Sequence, residues 1–472
     1  MILAIDQGTT GTTCLVVDEQ LRTRGRWYAP VEQHYPQPGW IEHDAEQLWR
    51  SVEAAAAAAL AAAGIDARAL TAIGIANQRE TTLLWERATG RPVARAIVWQ
   101  DRRTAERCRA LPAELIRRKT GLVPDPYFSA TKLEWLLART EARAGELAFG
   151  TVDSWLVWKL TDGRVHATDL TNASRTMLLD LESLAWDDEL LELFGVDRAL
   201  LPRLVRSSEV VGEAKLLGAT LPIAGIAGDQ QAALFGHGCH ERGQAKATYG
   251  TGSFVLVNAG AAREPPSPGL LETVEASGGY ALEGAILSSG AAIQWLRDGL
   301  GILNDAAESE ALARQVESTG GVYFVPALTG LGSPHWNADA RGLVTGITRG
   351  TRAAHLVRAA LEGIAFQVAD VLDAFPGGVG VLRADGGASA NGFLMQFQAD
   401  LLGCPVEVAA ERETTALGAA ALAGLTIGIW QNLQDIRARI RPGATYEPSP
   451  DPDWVAGRRA EWQLAVRRAV LV

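Results

Sequence analysis

Two polar pairs in this 472-residue chain combine side chains that could grip and activate a hydroxyl group. Arg79-Glu80 follows the apolar run LTAIGIA, and Asp229-Gln230 follows PIAGIAG. A guanidinium offers fixed donors and a carboxylate offers acceptors, so Arg79 and Glu80 together could hold neighbouring hydroxyls of a polyol. A hydroxyl missing from such a site leaves buried groups unpaired, at about 1–3 kcal/mol each, which confers specificity. The plainer reading is a strand-end salt bridge worth about 0–1 kcal/mol. Asp229 could accept the proton of an attacking hydroxyl while Gln230 orients it, the part an acidic residue takes in phosphoryl transfer. Asp229 also precedes QQAALF and is equally suited to cap a helix, a position that would fix the same side chain.

Two further stretches share one plan. ILAIDQGTTGTTCLVV (2–17) and AKATYGTGSFVLV (245–257) each read as a β-hairpin around a Gly-Thr turn. Threonine hydroxyls and free N–H groups at such turns make a concave anion site. Two of them suggest related lobes facing a shared polyphosphate, against the alternative of two ordinary hairpins. Asp6 ends the first strand, where a carboxylate could hold Mg²⁺ directly or through water. DGGASANGF (385–393) is a glycine turn opening a helix. There Gly386 and Gly387 let the backbone approach a flat ligand, and Asn391 could hydrogen-bond it.

The elements that must position these residues alternate. Asp44 predicts an N-cap, with Gln47 completing a capping box, before an alanine-rich helix stopped at Gly64. Residues 70–76 and 82–86 read as strands, 89–93 as a turn, and AIVWQDRR (96–103) as a strand ending in charge. Residues 222–230 are a strand ending at Asp229-Gln230, and a boundary near Gly236 divides the chain into 1–236 and 237–472. The second half restarts with its own hairpin. It contains a long helix bearing Leu356, Ala359, Ala360, Ile364, Val368 and Val371 at helical spacing, and a final helix with Trp462, Val466, Ala469 and Val470 on one face. Alternating strands and helices predict an α/β fold with its site where strands end.

Length allows about two or three domains. A net charge of −11 argues against nucleic-acid binding. No apolar run approaches the ~18 residues of a membrane span, so no stable membrane association is expected. The first residues form a strand rather than a targeting segment, and the expectation is a cytoplasmic protein. Cys14, Cys108, Cys239 and Cys404 are scattered and read as buried reduced thiols. The spacing of His237, Cys239 and His240 fits no standard zinc pattern.

The segments IDQGTT, GIANQRET, IVWQDRRTAE, DPYFSATKLEW, TNASRTML, GIAGDQQAALFG, TYGTGSF, GAAIQWLRD, GLGSPHW and DGGASANGFLMQFQAD resemble the FGGY carbohydrate kinases, and within them the glycerol-using branch. The likeness runs from residue 2 to about residue 430. It implies two actin-like, ribonuclease-H-like lobes around a central cleft, and ATP- and Mg²⁺-dependent phosphorylation of glycerol to sn-glycerol 3-phosphate. By that resemblance Arg79, Glu80, Tyr127, Asp229 and Gln230 contact glycerol, Asp229 is the catalytic base, and Trp99 and Phe254 wall the carbon chain. Thr9, Thr10 and Gly11 match the first phosphate turn and Thr251 the second. Gly290, Gln294, Gly387 and Asn391 match nucleotide positions, and Asp6 the metal position. Self-association into a dimer or tetramer is implied as well.

Three departures stand out. Thr13 occupies the position where the first hairpin usually carries a basic residue. The segment 213–225 is too short for the loop that binds the inhibitor fructose 1,6-bisphosphate. Asn337 replaces a common Asp. The alternatives are an FGGY kinase of another polyol or sugar, and a nucleotide-binding regulatory protein with weak transferase activity, the latter motivated by Thr13.

Overall fold

A computed structural model describes residues 1–263, 268–449 and 451–471. The first half is built on β1 (Ile2–Gln7), β2 (Gly11–Val17), β3 (Thr23–Pro30), α1 (Ala45–Ala63), β4 (Ala72–Asn77), α2 (Val152–Leu160), β5 (Gly212–Leu216), β6 (Ala219–Gly228) and α3 (Asp229–Gly236). Its sheet has the order β5-β6-β4-β1-β2-β3, with β1 antiparallel to β2 and parallel to β4. The second half carries β7 (Gln244–Tyr249), β8 (Ser253–Gly260), β9 (Leu271–Val274), β10 (Tyr280–Ile286), α4 (Gly290–Asp298), α5 (Ala353–Asp373), β11 (Val381–Asp385), α6 (Gly392–Leu402), β12 (Val406–Ala409), α7 (Thr414–Thr426), β13 (Pro442–Tyr446) and α8 (Pro452–Val470). Its sheet order is β9-β10-β8-β7-β11-β12-β13.

The two sheets repeat one design. In each, a hairpin is continued by an antiparallel third strand on one side and by two parallel strands on the other. A helix then leaves the last parallel strand, α3 in the first lobe and α7 in the second. These two helices pack against each other where side chains vanish. A Cβ on Gly418 would lie 1.8 Å from the Ala232 carbonyl, so only glycine permits the crossing.

Most expected elements form, for local reasons. The Asp44 carboxylate accepts from the N–H groups of Glu46 and Gln47, and Gly64 ends α1 at φ 67°. The capping box is only half made. Gln47 turns its side-chain oxygen to the Glu32 N–H at 3.3 Å, because the strand-to-helix connection packs alongside. The strand expected over 96–103 stops at Ile97. Beyond it the buried Asp101 carboxylate accepts from the Arg103 and Ile41 N–H groups, bending the chain into a turn. Helix α5 is buried on nearly every side from Ala359 to Leu372 rather than along one stripe. Helix α8 docks through Trp462, which stacks on Phe366 at 5.0 Å and donates to Asp370 at 2.7 Å. Among the described residues no helix is long and apolar enough to cross a membrane.

The short segment 213–225 is explained by its turn. β5 and β6 are joined by Leu217 (φ 49°) and Gly218 (φ 79°), a two-residue hairpin with both centres left-handed and no room for a ligand loop. Asn337 is also accounted for. Its side-chain oxygen accepts from the Asp339 and Ala340 N–H groups at 2.9 Å, a turn role that an Asp fills equally well.

Candidate active site

The cleft between the sheets gathers the C-terminal ends of β1, β4, β6 and β7. Arg79 and Glu80 lie just past β4 and are both buried. The peptide there is strained: Glu80 has φ 61°, and the Thr81 N–H donates to the Arg79 carbonyl at 2.7 Å across it. A γ-turn with a left-handed non-glycine centre is rare, and such strain persists only where surrounding contacts over-determine it. Those contacts are the Ser129 and Thr82 hydroxyls, which both donate to the Glu80 carbonyl.

The plainer reading of Arg79-Glu80, a mutual strand-end salt bridge, is met only loosely, because each side chain has a nearer partner. Their closest approach is 3.8 Å. Arg79 instead donates to both carboxylate oxygens of Glu283 on β10, at 2.6 and 3.0 Å. Its Nε lies 3.2 Å from Asp229 Oδ1, and its Nη2 donates to the Tyr127 hydroxyl at 3.3 Å. Glu80 accepts from Arg175 Nε at 2.6 Å, and Arg175 also donates to Glu283 at 3.1 Å. The result is a buried four-membered ion network with one carboxylate supplied by the second lobe. Burial works against the charge of Glu283, but Arg175 and Arg79 hold its carboxyl down at about 2.

Asp229 is the first residue of α3, not its cap. Gly228 occupies the cap position with its N–H held by Thr171, and Asp229 Oδ1 accepts from the Gln230 N–H at 2.7 Å. Burial raises the Asp229 carboxyl, while Arg79 and Lys246 pull it back. Gln230 turns its side-chain oxygen to Lys246 Nζ, which also donates to Thr248 at 2.9 Å. Lys246 is buried on β7. Burial lowers its pKa, and Asp385 and Asp229 oppose that shift.

The two Gly-Thr turns form as expected. Gly8 N–H closes the first on the Gly11 carbonyl at 2.9 Å, and Gly250 N–H closes the second on Gly252 at 2.9 Å. Trp99 Nε1 donates to the Thr9 hydroxyl at 2.9 Å, and the Trp99 ring meets Tyr127 at 5.4 Å and Phe254 at 6.3 Å. One indole therefore ties the first turn to the aromatic wall and to the second lobe. Thr10 lies exposed at the turn, and its carbonyl accepts from Tyr28 at 2.8 Å. Thr251 and Gly290 come together, with Gly290 N–H on the Gly250 carbonyl and Ala291 N–H on the Thr251 carbonyl. A Cβ on Gly290 would sit 2.6 Å from the Gly250 oxygen, and one on Gly386 (φ 86°) 2.6 Å from the Tyr249 oxygen. Three turns of the second lobe thus interlock. Gly387 faces open space, and Gln294 is exposed one helical turn beyond Gly290. Asn391 is committed to structure: it caps α6 through Leu394 N–H and donates to Ser309.

Asp6 stands opposite Thr13 across the first hairpin. Burial, with the carboxylates of Asp229 and Glu413 nearby, pushes its carboxyl up to about 8. A buried carboxylate at a strand end, with two further carboxylates nearby, is the donor chemistry a hard divalent ion matches. Among the described residues no three His, Cys, Asp or Glu side chains converge into a metal cage. Mg²⁺ takes one or two carboxylates and keeps waters and phosphate oxygens, and a single carboxylate such as Asp6 is a donor of that kind. His237 is hydrogen-bonded to Asp385 at 2.9 Å and His240 to the Phe235 carbonyl at 3.1 Å, so each already has a protein partner. All four cysteines are buried and free.

Residues 1–236 match the N-terminal domain of the FGGY family of carbohydrate kinases, and residues 245–427 match its C-terminal domain. The chain belongs to the FGGY family of carbohydrate kinases. Among its relatives, a glycerol kinase of Azotobacter vinelandii is 51% identical, covering 99% of this chain and 97% of the relative. A glycerol kinase of Deinococcus radiodurans is 52% identical over the same shares. The crystal structure of Plasmodium falciparum glycerol kinase with ADP superposes with a TM-score of 0.94 at 35% identity, over 99% of this chain and 98% of that one. These likenesses settle the actin-like, ribonuclease-H-like two-lobed fold of this FGGY kinase.

Three polar residues of the site escape a reading of the sequence: Glu283, Arg175 and Lys246. Glu283 and Lys246 are each the one charged residue of a largely buried strand, YALEGAI and QAKATY. A lone charge in a strand buried on both faces must find a partner, and that was the available clue.

Proposed function

We propose that this FGGY kinase transfers the γ-phosphoryl group of ATP to a terminal hydroxyl of glycerol, giving sn-glycerol 3-phosphate and ADP. The observation that carries the reading is one cluster: Arg79 lies within 3.3 Å of both Asp229 and Tyr127 beneath the Trp99–Phe254 wall. Glycerol kinases that match nearly the whole chain support the choice of substrate.

Glycerol lies against Trp99 and Phe254 with its hydroxyls on Arg79, Glu80, Tyr127 and Gln230. Asp229 takes the proton of the attacking hydroxyl as the new O–P bond forms and the bond from phosphorus to the β–γ bridging oxygen breaks. Its raised carboxyl is a better proton acceptor than a solvated aspartate, and the neighbouring Arg79 and Lys246 oppose that rise. The Thr9–Gly11 and Thr251 turns cradle the phosphates with N–H and hydroxyl donors. Gly387, Gly290, Gln294 and Asn391 frame the rest of the nucleotide. Asp6 would hold Mg²⁺, which when bound neutralises charge on the phosphate oxygens. Lys246 supplies the cleft cation that Thr13 lacks. The lobes meet near Gly236, and the reading places the protein in the cytoplasm.

A coupled assay of ADP release with and without glycerol tests the proposal. Glycerol-dependent, Mg²⁺-dependent turnover that exceeds turnover on xylulose, gluconate and erythritol supports it. Equal turnover on any of those three, or ADP release indifferent to glycerol, overturns it.

A further inference from the structure

Away from the catalytic cleft, a cavity of about 570 Å³ opens along the seam between the lobes. The β2–β3 turn and the end of α3 supply one wall, and β11, β12, α7 and residues 437–442 supply the other. Its charge runs against that of the whole molecule. Five arginines line it, Arg22, Arg383, Arg437, Arg439 and Arg441, against two carboxylates, Glu407 and Glu411. The chain as a whole carries −11.

Three of the five arginines are tied into the wall. Arg383 donates to Glu407 at 2.9 Å and to the Gly238 carbonyl at 3.0 Å. Arg437 donates to the Ile440 carbonyl at 3.1 Å and stands 3.7 Å from Glu407. Arg439 donates to the Glu19 carbonyl at 3.1 Å. Glu411 is engaged by Thr23 from the opposite lobe at 3.0 Å. Arg22 and Arg441 are exposed, and their guanidinium groups have no hydrogen-bond or ion-pair partner among the described residues. Arg22 belongs to the first lobe and Arg441 to the second.

The geometry points to a second ligand site, one that takes a small organic phosphate bridged between Arg22 and Arg441. A planar guanidinium matches phosphate oxygens in pairs, and arginine suits this role better than lysine. The volume exceeds what a lone phosphate needs and falls in the usual range for small-molecule pockets, about 300–1,000 Å³. The cavity also touches the nucleotide half of the cleft through two side chains, His237 and Thr414. His237 Nε2 is hydrogen-bonded to Asp385 at 2.9 Å. Asp385 also accepts from Thr414 and immediately precedes the Gly386-Gly387 turn. A ligand that draws Arg22 and Arg441 together therefore bears on the lobe seam next to the nucleotide turn.

Isothermal titration calorimetry tests the site on the full chain saturated with glycerol and the non-hydrolysable analogue AMPPNP, so that the cleft is filled. Inorganic phosphate and 3-phosphoglycerate are the probes. The expected result is saturable binding of 3-phosphoglycerate, tighter than that of phosphate and weakened at least about tenfold in the double variant Arg22→Ala/Arg441→Ala. Activity of that variant without 3-phosphoglycerate should equal that of wild type, which shows that it folds. Tighter binding of phosphate than of 3-phosphoglycerate would overturn an organic ligand in favour of a free anion. No saturable heat with either probe, or the same affinity in the double variant, would overturn the site itself. Because this binding is read with the cleft filled, its failure is distinct from loss of glycerol-dependent turnover.

Discussion

Glu283 of the second lobe grips Arg79 of the first with two parallel hydrogen bonds, of 2.6 and 3.0 Å, in a setting from which water is excluded. The arginine proposed to hold substrate is thus aimed by a residue 204 positions away in the chain. Replacing Glu283 with Gln leaves two buried guanidinium groups, Arg79 and Arg175, short of one negative charge. Removing one partner of a buried ion pair costs about 3–5 kcal/mol. Urea denaturation of Glu283→Gln should show a loss of that order. The KM for glycerol should rise more than the KM for ATP, because Arg79 loses its aim. Equal changes in both constants would make Glu283 a structural brace alone.

The same residue sets an acid limit. The Glu283 carboxyl falls from an ordinary 4.5 to about 2 because Arg175 and Arg79 favour its charged form. A depressed carboxyl contributes stability that is present above the unfolded value and is lost as pH falls through the folded one. The stability difference between wild type and Glu283→Gln should therefore stay level from neutral pH down to about 4.5, then shrink as pH falls toward about 2. Denaturation midpoints of both proteins across pH 7 to pH 3 check this. A difference that already closes between pH 7 and pH 5 would assign the effect to another group.

Asp229→Asn should remove the proton acceptor while keeping size and much of the polarity. General-base catalysis contributes about 10²–10⁴ in rate. The variant should lose kcat by that factor while glycerol still binds, as followed by quenching of tryptophan fluorescence near Trp99. Single-turnover transfer near the wild-type rate would deny Asp229 the role of base.

The hairpins, both lobes and the polar strand ends were legible because their causes are local. A Gly-Thr turn between apolar runs, a capping Asp44 and a stopping Gly64 are decided within a few residues of chain. Asp229 and Arg79 could be placed at strand ends for the same reason. What could not be read depends on distant partners. The bend at Val98 that aims Trp99 at Thr9 is imposed by Asp101 holding Ile41, 60 residues earlier. Arg175 reaches Glu80 across 95 residues, and Glu283 arrives from the other lobe. Adjacency in sequence left open a plain salt bridge between Arg79 and Glu80; tertiary packing gave each a nearer partner. The cation proposed to stand in for the basic residue absent at Thr13 is Lys246, which sits in the other hairpin's strand, where nothing in the sequence ties it to the first.

Lys246→Met tests that compensation. Its ammonium is buried between the Asp229 and Asp385 carboxylates and bonded to Gln230 and Thr248, just ahead of the second Gly-Thr turn. If it stabilises charge on the transferring phosphoryl group, kcat/KM for ATP should fall by about 10²–10³, the loss seen when one preorganised donor is removed. Lys246→Arg should recover part of it. A fall in thermal stability with kcat/KM unchanged would reduce Lys246 to a buried strut for Gln230.

A final prediction concerns Glu275, which lies outside the cleft just after β9. It is fully buried, its Oε1 has no partner among the described residues, and burial pushes its carboxyl from 4.5 up to about 7. Ser277 and the Ala276 and Ser277 N–H groups pull the other way without restoring the ordinary value. A raised carboxyl contributes stability that is complete below the unfolded value and is lost as pH rises through the folded one. Wild type should accordingly lose stability between about pH 4.5 and pH 7 on account of this residue, whereas Glu275→Gln, neutral throughout, should not. A tenfold change in proton affinity on folding is worth about 1.4 kcal/mol, so the variant should gain about 1–3 kcal/mol on wild type between pH 5 and pH 8. Urea unfolding at those two pH values checks it. A gain that is the same at both would mean that Glu275 keeps one protonation state throughout, and the unpartnered oxygen would then reflect packing alone.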